Sequence, residues 1–398
     1  MAGIVAWVQL PSVRSGLRLL GFVACAVALA APGRAAAAEG LPHVQAHSFL
    51  VAGGPSAEVL AADDAEARVP IASITKLMTA LITLEHAKPG ETVTITAPAS
   101  VVGESSINLH AGERLTVRDL LAGALIQSAN DAAYALAVHV GHGNVQAFVR
   151  MMNAKAAQLG LKETHFARPD GLDAPGHLSS AHDVLILART AMQRPLIRSL
   201  VRQRTARIAG NRSLFTWNDL LGRYSGLYGV KTGHTNDAGW CEIAVARRDG
   251  TTVYAVILGS PSRERRNTDL RSLLDWGFGR FARLRVVEGG KRYATAEVPF
   301  SSERLALVAK SDAGATVLAT RPLVETVVAP MVVDLPVRRG QELGEVRVTE
   351  AGRLVASVPL VASRTVGAPG FGERSGWYAG QAVDEAGAML STVLGSLP

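Results

Sequence analysis

The 398-residue chain contains only two cysteines, Cys25 and Cys241, and only seven lysines, so arginine supplies nearly all of its positive charge. There is no Lys/Arg block and no basic stripe interleaved with aromatic residues, which argues against a nucleic-acid partner. Long apolar runs are missing too: the longest, Leu19 to Ala31, is too short to read as a membrane span. What is abundant is ordinary core material. At 48% hydrophobic the chain is not disordered, and its length fits two to three domains.

Arg14 and Arg18, the apolar run behind them and the small residues Ala36-Ala37-Ala38 before Glu39 describe a secretory signal peptide over residues 1–38. Phe22-Val23-Ala24-Cys25 lacks the upstream Leu of a lipoprotein signal, and the apolar run continues past the cysteine. Cleavage removes three arginines and no acid, lowering the formal charge from +7 to +4. It also leaves Cys241 as the sole thiol, so the exported chain is expected to be held by its core and not by a disulfide. Cys241 follows Trp240 in an apolar strand, where a buried inert thiol is expected.

Apolar stretches around Gly53-Gly54-Pro55-Ser56 predict a hairpin over His43 to Leu60. Helical spacing predicts helices over Ile71 to His86, Val117 to Val140, Val145 to Leu159 and Ala181 to Met192. Gly239 to Arg247 and Thr251 to Leu258 form a second hairpin through Arg248-Asp249-Gly250, and Leu270 to Phe281 returns to helix. Strands at both ends of a helical middle predict an α+β domain over 39–285. Val-rich segments between Gly, Asp and Pro turns predict a small β domain over 286–363. Residues 364–398 form a tail whose Val383, Ala386, Leu390, Val393, Leu394 and Leu397 stand at the spacing of a short amphipathic helix.

The chemistry begins at Ile71-Ala72-Ser73-Ile74-Thr75-Lys76. With Pro70 opening the helix, Lys76 lies one turn beyond Ser73 on the same face, within reach of its hydroxyl. Serine is a poor nucleophile unless a base takes its proton, and a desolvated lysine near a second cation is neutral enough to do so. Ser-x-x-Lys alone arises by chance on the order of half a time in such a chain. Ser128-Ala129-Asn130 interrupts the second predicted helix and offers a hydroxyl and an amide; by itself it reads equally as a helix cap. Lys231-Thr232-Gly233 is more specific, expected by chance only about 0.04 times in a lysine-poor chain. On a strand, Lys231 and Gly233 face one side, and the missing side chain at Gly233 leaves room for an extended peptide.

Ser-x-x-Lys, Ser-x-Asn and Lys-Thr-Gly in that order resemble the penicillin-binding protein and serine β-lactamase superfamily, and within it the low-molecular-weight D-alanyl-D-alanine carboxypeptidases. The resemblance extends over Gly103-Glu104-Ser105-Ser106, Arg118-Asp119-Leu120-Leu121, Gly171-Leu172-Asp173-Ala174-Pro175-Gly176-His177 and Ala238-Gly239. Arg266 stands where these enzymes place an arginine for the substrate carboxylate, and the β domain and amphipathic tail match their layout.

The resemblance implies an antiparallel sheet flanked by helices, followed by a small β domain. It implies that Ser73 attacks the carbonyl between two terminal D-alanines of a peptidoglycan stem peptide, with Lys76 as base. Backbone N–H groups of Ser73 and His234 would hold the oxyanion, and Ser128 and Lys231 would pass a proton to the departing D-alanine. Asn130 would bind the peptide amide, Thr232 and Arg266 the terminal carboxylate, with Gly233 and Ser106 also on the substrate side. β-Lactams would acylate Ser73. No metal or cofactor is implied. The place of action would be the periplasm or the outer face of the cytoplasmic membrane, with peripheral membrane contact through the C-terminal helix. That tail carries Asp384 and Glu385 and no Lys or Arg after Arg374, so anionic lipid would not attract it electrostatically.

Ala129 stands where the family usually has Gly, and Tyr228 replaces a frequent Asp. The alternatives are a DD-endopeptidase cutting crosslinks, which normally lacks a downstream β domain, and a non-catalytic wall-binding module, against which intact Ser73, Lys76, Ser128 and Lys231 speak. A β-lactamase would require a deacylating glutamate, and none is evident between Arg168 and Ser180.

Overall fold

The computed structural model describes residues 22–29 and 40–377. In chain order the elements begin with strands β1 (Phe22–Leu29), β2 (Ser48–Gly53) and β3 (Glu58–Asp63), then a 3-10 turn (Ala72–Thr75) running into helix α1 (Lys76–His86). Next come β4 (Thr92–Thr94), α2 (Ala97–Ser100), β5 (Arg114–Thr116), α3 (Val117–Ile126), α4 (Asn130–Val140) and α5 (Val145–Gln158). They are followed by α6 (Ala181–Gln193), α7 (Pro195–Leu200), β6 (Thr205–Ile208), β7 (Arg212–Phe215), β8 (Leu227–Thr235), β9 (Gly239–Arg248), β10 (Thr251–Ser260) and α8 (Arg263–Gly279). The remaining strands are β11 (Phe281–Val287), β12 (Arg292–Glu297), β13 (Arg304–Ala309), β14 (Ala313–Leu318), β15 (Leu323–Pro330), β16 (Glu342–Glu350) and β17 (Arg353–Ala362).

The chain divides into two compact units. The larger is Ala36–Arg280, built on a five-stranded antiparallel sheet in the order β3-β2-β10-β9-β8. Alternation along β10 buries both faces of this sheet. Val253 meets α8 at Gly277, where an added Cβ would come within 2.7 Å of a Val253 methyl, while its neighbour Tyr254 lies with Arg189 and Met192 of α6. The β9–β10 connection needs positive φ at both Asp249 (46°) and Gly250 (81°), which a two-residue hairpin demands and an Asp-Gly pair supplies. The helical layer closes over Leu77, Leu81, Leu120, Leu136 and Phe148, all buried.

Two departures from the periodicity concern the functional region. The run predicted as one helix over Val117 to Val140 is two, because Ser128 adopts φ of 65° and breaks it between α3 and α4. Helix α8 starts seven residues before the predicted Leu270. Ser262 caps it by accepting from Arg265 N at 3.0 Å, and its polar first turns hold no apolar residue that periodicity could register. Phe281 belongs to β11 and not to that helix.

The second unit contains Phe281 onward and β1. Its six-stranded sheet has the order β1-β15-β16-β17-β13-β12, packed over Leu305, Leu307, Val346, Val348 and Leu360. The predicted signal segment contributes β1, antiparallel to β15 with Phe22 opposite Pro330. Residues 371–377 are helical, and the amphipathic helix expected further on lies outside the described residues. No helix among the described residues is long and apolar enough to cross a membrane.

Candidate active site

Ser73 sits in the 3-10 turn that opens α1, and Lys76 is the first residue of α1 proper. The one-turn offset brings Lys76 Nζ to 2.6 Å from Ser73 Oγ. The same amine donates to Asn130 Oδ1 at 2.6 Å and to the Asp170 carbonyl at 2.5 Å, so three oxygens fix its position. Lys76 is fully buried. Burial pulls its pKa down to about 8, against the opposing pull of the Asp170, Glu104 and Asp131 carboxylates.

Asn130 and Ser128 arrive from the break between α3 and α4. Asn130 Nδ2 donates to the Gly103 carbonyl at 3.0 Å, which orients the amide so that its oxygen meets Lys76. Ala129 is buried with φ of −64°, so alanine costs nothing where the family usually has glycine. From β8, Lys231 Nζ donates to Ser128 Oγ and to the Thr232 carbonyl, both at 2.8 Å. Burial, and then the Lys76 charge, hold the Lys231 pKa well below the ordinary lysine value. Two buried lysines each pinned to a serine hydroxyl therefore face one another across the site.

Gly233 is required for a reason other than the one read from the strand. A Cβ there would stand 2.9 Å from the Ile71 carbonyl and 3.0 Å from Ser73 N, so the space is taken by the Ser73 turn and not kept for a peptide. Ala72 next to it holds φ of 48°, a left-handed conformation unusual for alanine and maintained by this packing. His234 is exposed and stacks on Trp240 at 4.1 Å between ring centroids.

Ser73, Ser128, Asn130, Thr232, Gly233, His234 and Arg266 line one cleft of about 250 Å³. Arg266 comes from the first turns of α8 and is 1% exposed. Its Nη2 donates to Asn267 Oδ1 at 2.6 Å and to Asp219 Oδ2 at 3.3 Å. Ser106 departs from the expected arrangement. Its hydroxyl donates to Asp131 Oδ2 at 2.6 Å and accepts from Asn108 N, a tie that secures the loop to α4; Ser105 is the serine that lines the cleft.

Residues 35–262 match the model of a family described as D-alanyl-D-alanine carboxypeptidase. The chain belongs to this family. Among its carboxypeptidase relatives, DacD of Salmonella typhimurium is 31% identical over 359 residues, covering 85% of this chain and 90% of that protein. Penicillin-binding protein 5 from Haemophilus influenzae superposes with a TM-score of 0.59 at 28% identity, over 82% of this chain and 99% of the other. The Streptomyces K15 DD-transpeptidase gives 0.57 at 31% identity, over 60% of this chain and 99% of its own. The α+β fold with its antiparallel sheet and downstream β unit is that of these carboxypeptidases.

Several groups around this carboxypeptidase cleft were not singled out by sequence. Asp170 supplies the carbonyl on Lys76, while its carboxylate, wholly buried, is paired with Arg168 at 2.6 and 2.9 Å. The loop it anchors is also held by His177, whose Nε2 is 2.7 Å from Thr75 Oγ1 and whose pKa burial lowers to about 4. Trp217 and Arg263 line the cleft mouth, Arg263 being paired with Asp219. Glu242 of β9 is fully buried beside Thr232, its register partner on β8. For Glu242 a signal was present: an acid within the apolar run Cys241 to Val245.

Proposed function

We propose that in this serine-type D-alanyl-D-alanine carboxypeptidase the division of labour is as follows. Neutral Lys76 takes the Ser73 proton as Ser73 Oγ attacks the penultimate D-alanine carbonyl of a peptidoglycan stem peptide. The N–H groups of Ser73 and His234 receive the oxyanion. Ser128, backed by Lys231, returns a proton to the leaving D-alanine, Asn130 holds the peptide amide, and Thr232 and Arg266 hold the terminal carboxylate. Water then hydrolyses the acyl-enzyme. The observation that carries this reading is the 2.6 Å contact between Ser73 Oγ and a fully buried amine with a pKa of about 8.

Penicillin acylates the same serine on this reading. Rapid release is disfavoured: the acid nearest Lys76 in the 168–180 loop, Asp170, has its carboxylate engaged with Arg168 and is not free to activate water. Residues 1–38 are proposed as an export signal, with the catalytic domain running from 39 to Arg280 and the β domain starting at Phe281, where β11 begins, and not at 286 as composition alone places it. The protein then acts in the periplasm or on the outer face of the cytoplasmic membrane, with the apolar face of the tail as its membrane contact.

Diacetyl-L-Lys-D-Ala-D-Ala incubated with the purified chain should release D-alanine, and Ser73→Ala should release none while losing its labelled-penicillin adduct. Undiminished release by Ser73→Ala would sink the assignment. Crosslinked muropeptide as a second substrate separates this reading from the endopeptidase one, which the downstream β unit disfavours.

A further inference from the structure

Arg266, the proposed anchor for the substrate carboxylate, does not stand alone. It belongs to a cluster of four charges: Arg263 and Arg266 from α8, Asp219 from the segment before β8, and Glu242 from β9. Asp219 is already engaged, bound twice by Arg263 at 2.5 and 2.7 Å, once by Asn267 at 2.8 Å and, more loosely, by Arg266 Nη2 at 3.3 Å. Glu242 is not. Its carboxylate is completely buried, and neither oxygen receives a hydrogen bond among the described residues. Arg266 Nε is 3.1 Å from Glu242 Oε2, but that N–H is aimed at Asn267 Oδ1 at 3.2 Å. Burial without a hydrogen bond disfavours the ionised carboxylate, and the Arg266 charge beside it opposes that penalty, so the two forms lie close in energy.

The charge count gives this consequence. With Glu242 ionised, the two arginines face two carboxylates and these four groups sum to zero; the nearby Lys231, whose charged form burial disfavours, stands outside this count. With Glu242 protonated, these four groups carry one excess positive charge, and Arg266, the arginine in contact with Glu242, lines the cleft. An incoming carboxylate restores neutrality only in the second state.

We infer that Glu242 is a positioning residue whose uncharged form leaves Arg266 available to the substrate's C-terminal carboxylate, so that where Glu242 is ionised, docking of that carboxylate is accompanied by proton uptake at Glu242. When ionised, Glu242 satisfies Arg266 from the neighbouring strand β9 and repels the incoming anion. The selectivity of the cleft for a free C-terminus over a neutral one is thereby set by a residue that touches no substrate atom.

The groups facing Glu242 are few. From α8 come Arg266 and Arg263, from β8 Lys231, and from the segment before β8 Asp219; its partner on β10 is Ile257. Burial is the largest influence and raises its pKa to about 7, with Asp219 acting in the same direction and the three cations against it. The protonated form therefore dominates below neutral pH and is lost above it.

This inference rests on the proposed contact between Arg266 and the substrate carboxylate. The test compares kcat/KM for diacetyl-L-Lys-D-Ala-D-Ala with that for the same peptide ending in a carboxamide. The two substrates share the Lys76 titration, so their ratio isolates recognition of the carboxylate. Between about pH 6 and about pH 8.5 the wild-type ratio should fall by about fivefold or more, carried by KM and not kcat. In Glu242→Gln, which keeps the volume and removes the charge, the ratio should be independent of pH and KM for the acid should be lower than wild type at the alkaline end. A flat wild-type ratio overturns the inference whether or not the variant folds, as does a Glu242→Gln ratio that still falls with pH. Absence of hydrolysis of the tripeptide at every pH overturns the proposed function, and this inference with it; a ratio near one at all pH values removes Arg266 as the anchor while leaving the peptidase intact.

Discussion

Gly233 and Ser73 approach so closely that a Cβ on the glycine would lie 3.0 Å from the serine's backbone nitrogen. The strand carrying Lys-Thr-Gly and the turn carrying the nucleophile are thus packed backbone against backbone. The atoms a side chain would displace, the Ile71 carbonyl and Ser73 N, belong to the chain itself and cannot rotate away. Gly233→Ala should therefore push β8 off the Ser73 turn, destabilise the fold by about 1–3 kcal/mol and slow acylation far more than it lowers stability. Thermal unfolding together with stopped-flow penicillin acylation tests this, and wild-type acylation by a folded Gly233→Ala protein would contradict it.

Lys76 must be neutral to accept the Ser73 proton. Because burial lowers its pKa to about 8, it is mostly protonated below that pH, and the acylation rate at saturating penicillin should climb with pH, reach half its limit near 8 and level off about one unit above. The Asp170 carboxylate is the first of the charges that hold this value up. Asp170→Asn removes that charge, so the rising limb should move to lower pH. A limb that stays in place or moves up would show that Lys76 is not the group being titrated.

Cys241 is buried, and desolvation raises its pKa to about 12, so almost no thiolate forms at neutral pH. A chain beginning at residue 39 should show no thiol reactive toward a disulfide reagent while folded and one after unfolding in denaturant. Rapid reaction of the folded protein, or loss of activity in Cys241→Ser, would contradict the inert role.

The site was legible wherever local spacing suffices. Ser73 and Lys76 are one turn apart on the chain and meet for that reason, and alternation along β8 predicts that Lys231 and Gly233 share a face. Ser106 was misplaced because its motif carries two adjacent serines, and only the position of Asp131 on α4 decides which of them turns away from the cleft. The start of α8 was missed because its first turns are polar, yet those turns carry Arg263 and Arg266.

By itself the sequence determined the two-part order of the chain, the hairpins, most of the helices and the residues able to do acyl-transfer chemistry, since these depend on periodicity, turn chemistry and short spacing. Tertiary structure decided how basic those residues are and which charges oppose them. Lys76 meets a carbonyl from Asp170, 94 residues away, and Lys231 meets Ser128, 103 residues away. Glu242 becomes a neighbour of Arg266 only when α8 packs on β9. Desolvation and Coulomb interaction depend on distance and burial in the folded molecule, and no linear spacing encodes either.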